Sequence, residues 1–295
     1  MMPRPREPAT VLVAAEQRWH PDSPVDSGEL VDQRCYKTLS LRLAASSGIA
    51  VPRSVLLLKN SADALEWVWR NWDTPLIMRV DYSALPRNKV LGGIAISSSE
   101  TLRRLSDWLF RQSYYPLVHS FLDRFRNIHS AGALIARDSV EASIEVVGTG
   151  FDASDLRLGT CPPHEAFEVD LCTGHTFAHR QPSAQQYAAS REGRIQSIAR
   201  LQAYTRFVNA EGYLLSDLHD VEVSDEDKVS ATALVPTKYA VLPESYRRAL
   251  VQSCKRLRDD VIPILPRSAT YAASFSYFEE FGWILWDVYG EWYVR

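Results

Sequence analysis

The sequence predicts an α+β protein, and three features of its patterning carry that expectation. Helical and strand-like apolar periods alternate from Lys37 to Ile96. Strand candidates fall in neighbouring pairs, Leu76 to Val80 with Gly93 to Ser97 and Ala131 to Ala136 with Ala142 to Val147, as antiparallel sheets require. A long amphipathic helix followed by two strand-like runs closes the chain. With 295 residues, 46% hydrophobic and 23% charged, the chain has enough apolar surface for one large or two modest cores.

Residues 1–30 hold three prolines before Ala9, a short strand candidate at VLVAA and a polar loop. From Leu30 to Ser47, Leu39, Leu41, Leu43 and Ala44 sit among polar residues in a mainly helical pattern. Gly48 supplies its C-cap, because glycine takes the left-handed conformation at little cost. Val51 to Leu58 is short, apolar and entered through Pro52, and reads as a buried strand. A second helix is expected from about Ser61 to Trp72, then an apolar strand that brings Arg79 and Asp81 to its exit. The following loop, DYSALPRNKVLGG, carries Arg87, Lys89, Gly92 and Gly93. Such a loop either cradles phosphate, through close-approaching backbone N–H groups and a nearby cation, or is simply a basic hairpin. Ser98 or Ser99 caps a helix whose Leu102, Leu105, Trp108 and Leu109 share one face, and Pro116 introduces the strand LVHSFL.

Beyond the second strand pair, Gly148, Gly150 and Gly159 alternate with Asp152 and Asp155, read as a capped turn in preference to an anion or metal loop. Cys161-x-x-His164, Cys172-x-x-His175 and His179 have the spacing of zinc half-sites. The intervening EAFEVDL, however, reads as a regular strand and the spacing matches no zinc knuckle, so a chance cluster on a hairpin is preferred to a structural zinc site. Residues 180–191 are expected to be a polar linker and Ile195 to Val208 an amphipathic helix. The acidic stretch from Glu211 to Lys238 fits either a substrate-covering insertion or a long hairpin. From Pro243 a helix with the stripe Tyr246, Leu250, Val251, Cys254 and Leu257 leads to a hairpin, ATYAASFSYF and WILWDVYG.

This order of elements resembles the ATP-grasp family, and Gly48-Ile49-Ala50-Val51-Pro52 matches that family's Gly-Ile-x-x-Pro entry to its nucleotide-binding domain. The resemblance implies two α+β subdomains whose antiparallel sheets sandwich a nucleotide, with ATP and magnesium (Mg2+) as cofactors. Residues 37–120 would form the N-terminal lobe with its phosphate loop, and 121–295 the C-terminal lobe with an insertion at about 180–242. Residues 1–36 would be an arm or partial subdomain, with no room for the complete α/β domain typical of such ligases. Lys37, Arg79 and Lys89 would neutralise phosphate charge, Arg79 and Lys89 being the catalytic pair, with Gly92 and Gly93 in the phosphate loop. Phe121 and Leu122 would receive the adenine edge, with Asp123 near the ribose. Asp287 stands where the second hairpin strand carries a metal-holding acid, and Glu291 is the carboxylate to complement it. Ser276 occupies the place of the first-strand acid, Tyr289 that of an asparagine, and His119 a place where an acid is more usual.

The implied reaction is ATP-dependent joining of a carboxylate to an amine or thiol through an acyl phosphate. The alternatives are a non-catalytic nucleotide-binding or regulatory protein on the same scaffold, or an ATP-dependent phosphotransferase. The expected partners are a small-molecule or peptide substrate, together with a second copy or a partner chain that supplies the missing domain. A net charge of −3 gives no footprint for nucleic acid. No signal-peptide core or membrane span is present and the four cysteines form no disulfide framework, so a cytoplasmic protein with reduced thiols is expected. There is no Gly-x-Ser-x-Gly elbow, Walker loop or His-Glu-x-x-His motif to suggest other chemistry.

Overall fold

A five-stranded sheet and a six-stranded sheet, each with a helical layer, organise the chain. The computed structural model describes residues 11–14, 35–72, 75–81, 94–120, 127–157, 161–180, 184–211 and 222–290. Lys89, Gly92, Gly93, Phe121, Leu122, Asp123 and Glu291 lie outside the described residues.

The first sheet has the order β1 (Val11–Ala14), β2 (Ser54–Leu57), β5 (Pro116–Ser120), β3 (Leu76–Val80), β4 (Ile94–Ile96). All its pairs are antiparallel except β1 with β2, so the short N-terminal strand makes this sheet mixed where a purely antiparallel one was expected. Strand alternation divides its side chains cleanly. Val55, Met78, Ile94 and Val118 point to one face, where they pack against Leu65 and Val68 of helix α2 (Ala62–Asn71) and Leu102, Leu105 and Leu109 of α3 (Ser99–Arg111). Both helices start as the sequence requires, with the Ser61 and Ser98 side chains accepting from the N–H groups of Ala64 and Thr101. By register, the opposite face carries Ser54, Leu56, Ile77, Arg79, Leu117 and His119.

The second sheet runs β11 (Gly282–Tyr289), β10 (Thr270–Phe278), β6 (His129–Ala136), β7 (Glu141–Gly148), β8 (Glu165–Asp170), β9 (Thr176–Arg180), antiparallel throughout. One face buries Ala133, Ile144, Phe167, Phe275 and Leu285 against helix α1 (Tyr36–Ser46) and the closing helix Glu244–Arg256, whose Leu250, Val251 and Cys254 form the predicted stripe. Each such side chain contributes about 1.5–3 kcal/mol on burial. The other face bears a cross-strand row: Asp287, Ser274, Gly132, Glu145, Ala166 and Arg180 sit opposite one another on successive strands.

Helix α1 ends at Gly48, whose φ of +73° is the left-handed cap expected there. Arg256 Nη1 donates to the Gly48 carbonyl at 2.6 Å and ties that cap to the closing helix. Leu285 N donates to the Ala50 carbonyl at 2.9 Å, so the Gly-Ile-x-x-Pro segment is hydrogen-bonded to β11.

Two expectations are corrected. The stretch read as a linker is helical from Ala184, within a 28-residue helix Ala184–Glu211. It is held by Tyr187, Ile195, Ile198 and Ala199, which bury against Val147 and Phe151. The acidic stretch holds a helix, Asp225–Leu234, started by a Ser224–Asp227 capping box and packed on the long helix, so it is not a hairpin.

Candidate functional site

Lys37 and Arg79 reach the same carboxylate from different elements. Lys37 lies in the first turn of α1, held there because the Asp81 carboxylate accepts from the backbone N–H of Lys37 at 3.2 Å and of Thr38 at 2.6 Å. The Thr38 hydroxyl donates to the same carboxylate. Asp81 thereby satisfies the helix's first N–H groups while its own burial pushes its carboxyl pKa up. Lys37 Nζ donates to the Val80 carbonyl at 3.2 Å and stands 3.7 Å from Asp287 Oδ1. Arg79, projecting from β3, donates through Nη1 to the Trp286 carbonyl at 3.1 Å and forms an ion pair through Nη2 with Asp287 Oδ2. All three side chains are at most 17% exposed, so the charges are held in a poorly solvated gap between the two sheets.

The carboxylate is placed by an irregularity. The β10–β11 ladder pairs Ser274 with Asp287 and Phe275 with Leu285, so Trp286 is the extra residue of a β-bulge. Through the bulge, Ser274 stands across from Asp287. Ser276 faces Ile284 and is 3.0 Å, Oγ to Oγ, from Ser130.

His119 completes the described part of the site. It is fully buried on β5, between Ser54 and Ile77 in register, with its ring edge toward Trp286 at a centroid separation of 6.3 Å. Burial, with Arg79 and Lys37 nearby, holds its pKa well below the ordinary histidine value, and Asp287 opposes that only in part. The imidazole is therefore neutral.

Of the residues expected to act together, the structure brings Lys37, Arg79 and Asp287 into one place. Among the described residues the donor set does not fit a magnesium ion: Asp287 supplies carboxylate oxygens, and they face Arg79 and Lys37. Magnesium requires several hard oxygen ligands in octahedral array. Among the described residues no cluster of three or more His, Cys, Asp or Glu could hold a metal.

The zinc-like pairs lie apart. Cys161 Sγ lies 3.8 Å from His164 Nε2 in the interior, while Cys172 is exposed at the β8–β9 turn beside Arg258. His179 instead bonds Glu165 at 2.9 Å. The glycine and aspartate run is the capped element expected. Asp152 and Asp155 exchange backbone hydrogen bonds at the short helix Ala153–Arg157, and both carboxylates pair with buried Arg194 at 3.2 Å. Arg194 was not legible beforehand, because its partners are about 40 residues away and the helix that carries it was expected to begin after it.

No protein-family model matches the sequence, and no curated protein does. Among solved structures, the chain is similar to D-alanine–D-alanine ligase from Helicobacter pylori, with a TM-score of 0.45 and 13% identity over 88% of this chain and 55% of that one. It is also similar to L-amino acid ligase from Bacillus licheniformis, with a TM-score of 0.41 and 8% identity over 87% of this chain and 40% of that one. A third is carboxyaminoimidazole ribonucleotide synthase from Aspergillus clavatus complexed with ATP, with a TM-score of 0.38 and 9% identity over 88% of this chain and 45% of that one. The chain thus spans only 40–55% of the length of these three proteins. No described helix is long and apolar enough to cross a membrane. From the helix closed by Gly48 to the final hairpin, the described elements occur in the order that the ATP-grasp resemblance implies.

Proposed function

We propose that the gap between the two sheets binds the phosphates of ATP and that the protein is an ATP-dependent ligase joining a carboxylate to an amine or thiol. The observation that carries this reading is the convergence of Lys37 and Arg79, from α1 and β3, on one point that β11 also reaches. Two largely buried cations held by backbone carbonyls and by Asp287 form a preorganised receptor for an oxyanion. Phosphate oxygens would take Asp287's place on both.

In the proposed reaction a carboxylate oxygen attacks the γ-phosphorus, the bond to the β-phosphate oxygen breaks and ADP leaves. The amine or thiol then attacks the acyl carbon, expels inorganic phosphate and loses its proton. Lys37 and Arg79 contribute by orienting the phosphates and offsetting charge that builds on the leaving oxygen. The substrate acid and its acceptor would enter beside the face of the six-stranded sheet on which Ser274 and Glu145 share Asp287's row.

A second reading, a nucleotide-binding protein without turnover, is favoured by one observation: Ser274 stands across the hairpin from Asp287, where a second acid would assist metal-dependent chemistry. ADP release in the presence of paired acids and amines separates the two. Turnover that disappears in Arg79→Ala supports the ligase; nucleotide binding with no ADP formed across a broad panel supports the binding protein.

A further inference from the structure

Ser54 fixes the protonation geometry of His119. The Ser54 hydroxyl lies 2.7 Å from the Pro52 carbonyl and 2.5 Å from His119 Nδ1. A carbonyl only accepts, so the single hydroxyl hydrogen goes to Pro52, and the contact with the imidazole must be Nδ1–H donating to Ser54 Oγ. Nε2 of the neutral ring is then a bare lone pair. It is fully buried, and among the described residues nothing donates to it. A buried acceptor without a donor costs free energy that a bound ligand can recover.

The surroundings select the donor. The charged groups acting on the ring are Arg79 from β3, Lys37 from α1 and Asp287 from β11. Among the described residues, two cations against one carboxylate act on the ring, which disfavours an ammonium donor and favours an anion that brings its own proton. Phosphoryl oxygens meet that requirement, since a phosphate's last proton titrates near neutrality. Sulfate has the same shape but carries no proton at neutral pH.

We propose that His119 Nε2 accepts a hydrogen bond from a protonated phosphoryl oxygen, so that this site distinguishes phosphoryl groups from proton-free oxyanions of the same shape. The ligand enters by displacing Asp287 from Arg79 and Lys37, and this uncovers Nε2. Ser54 acts as a positioning residue, since it sets which ring nitrogen is bare. The inference rests on the proposed phosphate-binding role of the gap.

The test uses the intact protein with inorganic phosphate, sulfate and a non-hydrolysable ATP analogue, titrated calorimetrically at neutral pH and matched ionic strength. Phosphate should bind roughly tenfold or more tightly than sulfate, the factor one hydrogen bond to a charged partner supplies. Long-range 1H–15N spectra of the parent should show His119 as the Nδ1–H tautomer, with its Nε2 signal moving on phosphate addition but not on sulfate addition. His119→Gln, whose amide oxygen can still accept, should keep the preference, and His119→Phe should lose it. Equal affinity for phosphate and sulfate, or an Nε2–H tautomer in the parent, overturns the role of His119 while leaving the phosphate site standing. Failure of all three ligands to bind overturns the site reading and this inference with it.

Discussion

Arg79 and Asp287, 208 residues apart in sequence, are ion-paired across the gap between the two sheets. Arg79 also holds the Trp286 carbonyl beside that carboxylate, so a single guanidinium fastens β3 to the bulge in β11. The contact keeps two buried charges compensated and presets the cationic groups at which an incoming phosphate would exchange for a carboxylate.

Arg79→Ala should therefore do two things. It takes from Asp287 its ion-pair partner on β3 while Lys37 stays 3.7 Å away, and removing one partner of a buried pair costs about 3–5 kcal/mol. It also removes a charge-assisted donor to phosphate, which should weaken nucleotide binding by roughly tenfold or more. Urea denaturation and calorimetry measure the two effects separately. Unchanged nucleotide affinity in a folded variant would remove Arg79 from the site.

Arg194 is a structural counterpart far from that chemistry in sequence. Its guanidinium pairs with Asp152 and Asp155 and donates through Nε to the Gly150 carbonyl at 2.5 Å, with the side chain 6% exposed. Arg194→Met removes the guanidinium from both carboxylates and should cost about 3–5 kcal/mol in unfolding experiments. Nucleotide affinity should survive under conditions where the variant remains folded.

Gly150 supports the same corner through its backbone. Its φ is +84°, and a Cβ there would lie 2.8 Å from the Leu234 carbonyl oxygen. Gly150→Ala should lower stability by about 1–3 kcal/mol, from left-handed strain and that clash together. A variant as stable as the parent by thermal melting would contradict the close approach of the helix Asp225–Leu234.

Acid should destabilise the protein through its interior histidines. Burial lowers the pKa of both His129 and His164 from 6.5 to about 4, and His129 adds to the depression of His164. The unfolded chain then binds more protons than the folded one between those values, so stability is full above about 6.5 and falls as pH drops toward 4. The slope should approach about 1.4 kcal/mol per pH unit for each histidine. Asp81, whose pKa is raised by burial, acts in the opposite sense and offsets part of the loss. Urea midpoints measured across this range should fall steadily; a flat profile would show that these imidazoles are not held neutral by burial.

The order of elements and several helix boundaries were legible in the sequence because local signals and the interior agree there. Ser61 and Ser98 begin helices whose apolar periods match the sheet they cover, and Gly48 ends one where a left-handed residue is needed. The helix Ala184–Glu211 was half missed because its N-terminal part is polar apart from Tyr187 and short alanine steps, so burial rather than periodicity reveals it. The register around Asp287 was missed for another reason. Period-two counting along β10 and β11 has no means of locating an extra residue, and the bulge at Trp286 shifts the pairing by one, setting Ser274 instead of Ala273 opposite Asp287. The Ser54–His119 contact joins residues 65 apart, and its meaning depends on the Pro52 carbonyl, which only three dimensions bring into play.

The account's central claim is that Lys37 and Arg79 form a phosphate receptor between the two sheets. Calorimetric titration of a non-hydrolysable ATP analogue into the intact protein, with and without magnesium, tests it most directly. The account predicts saturable submillimolar binding that weakens in Arg79→Ala. Absence of binding at millimolar nucleotide under both conditions would contradict it.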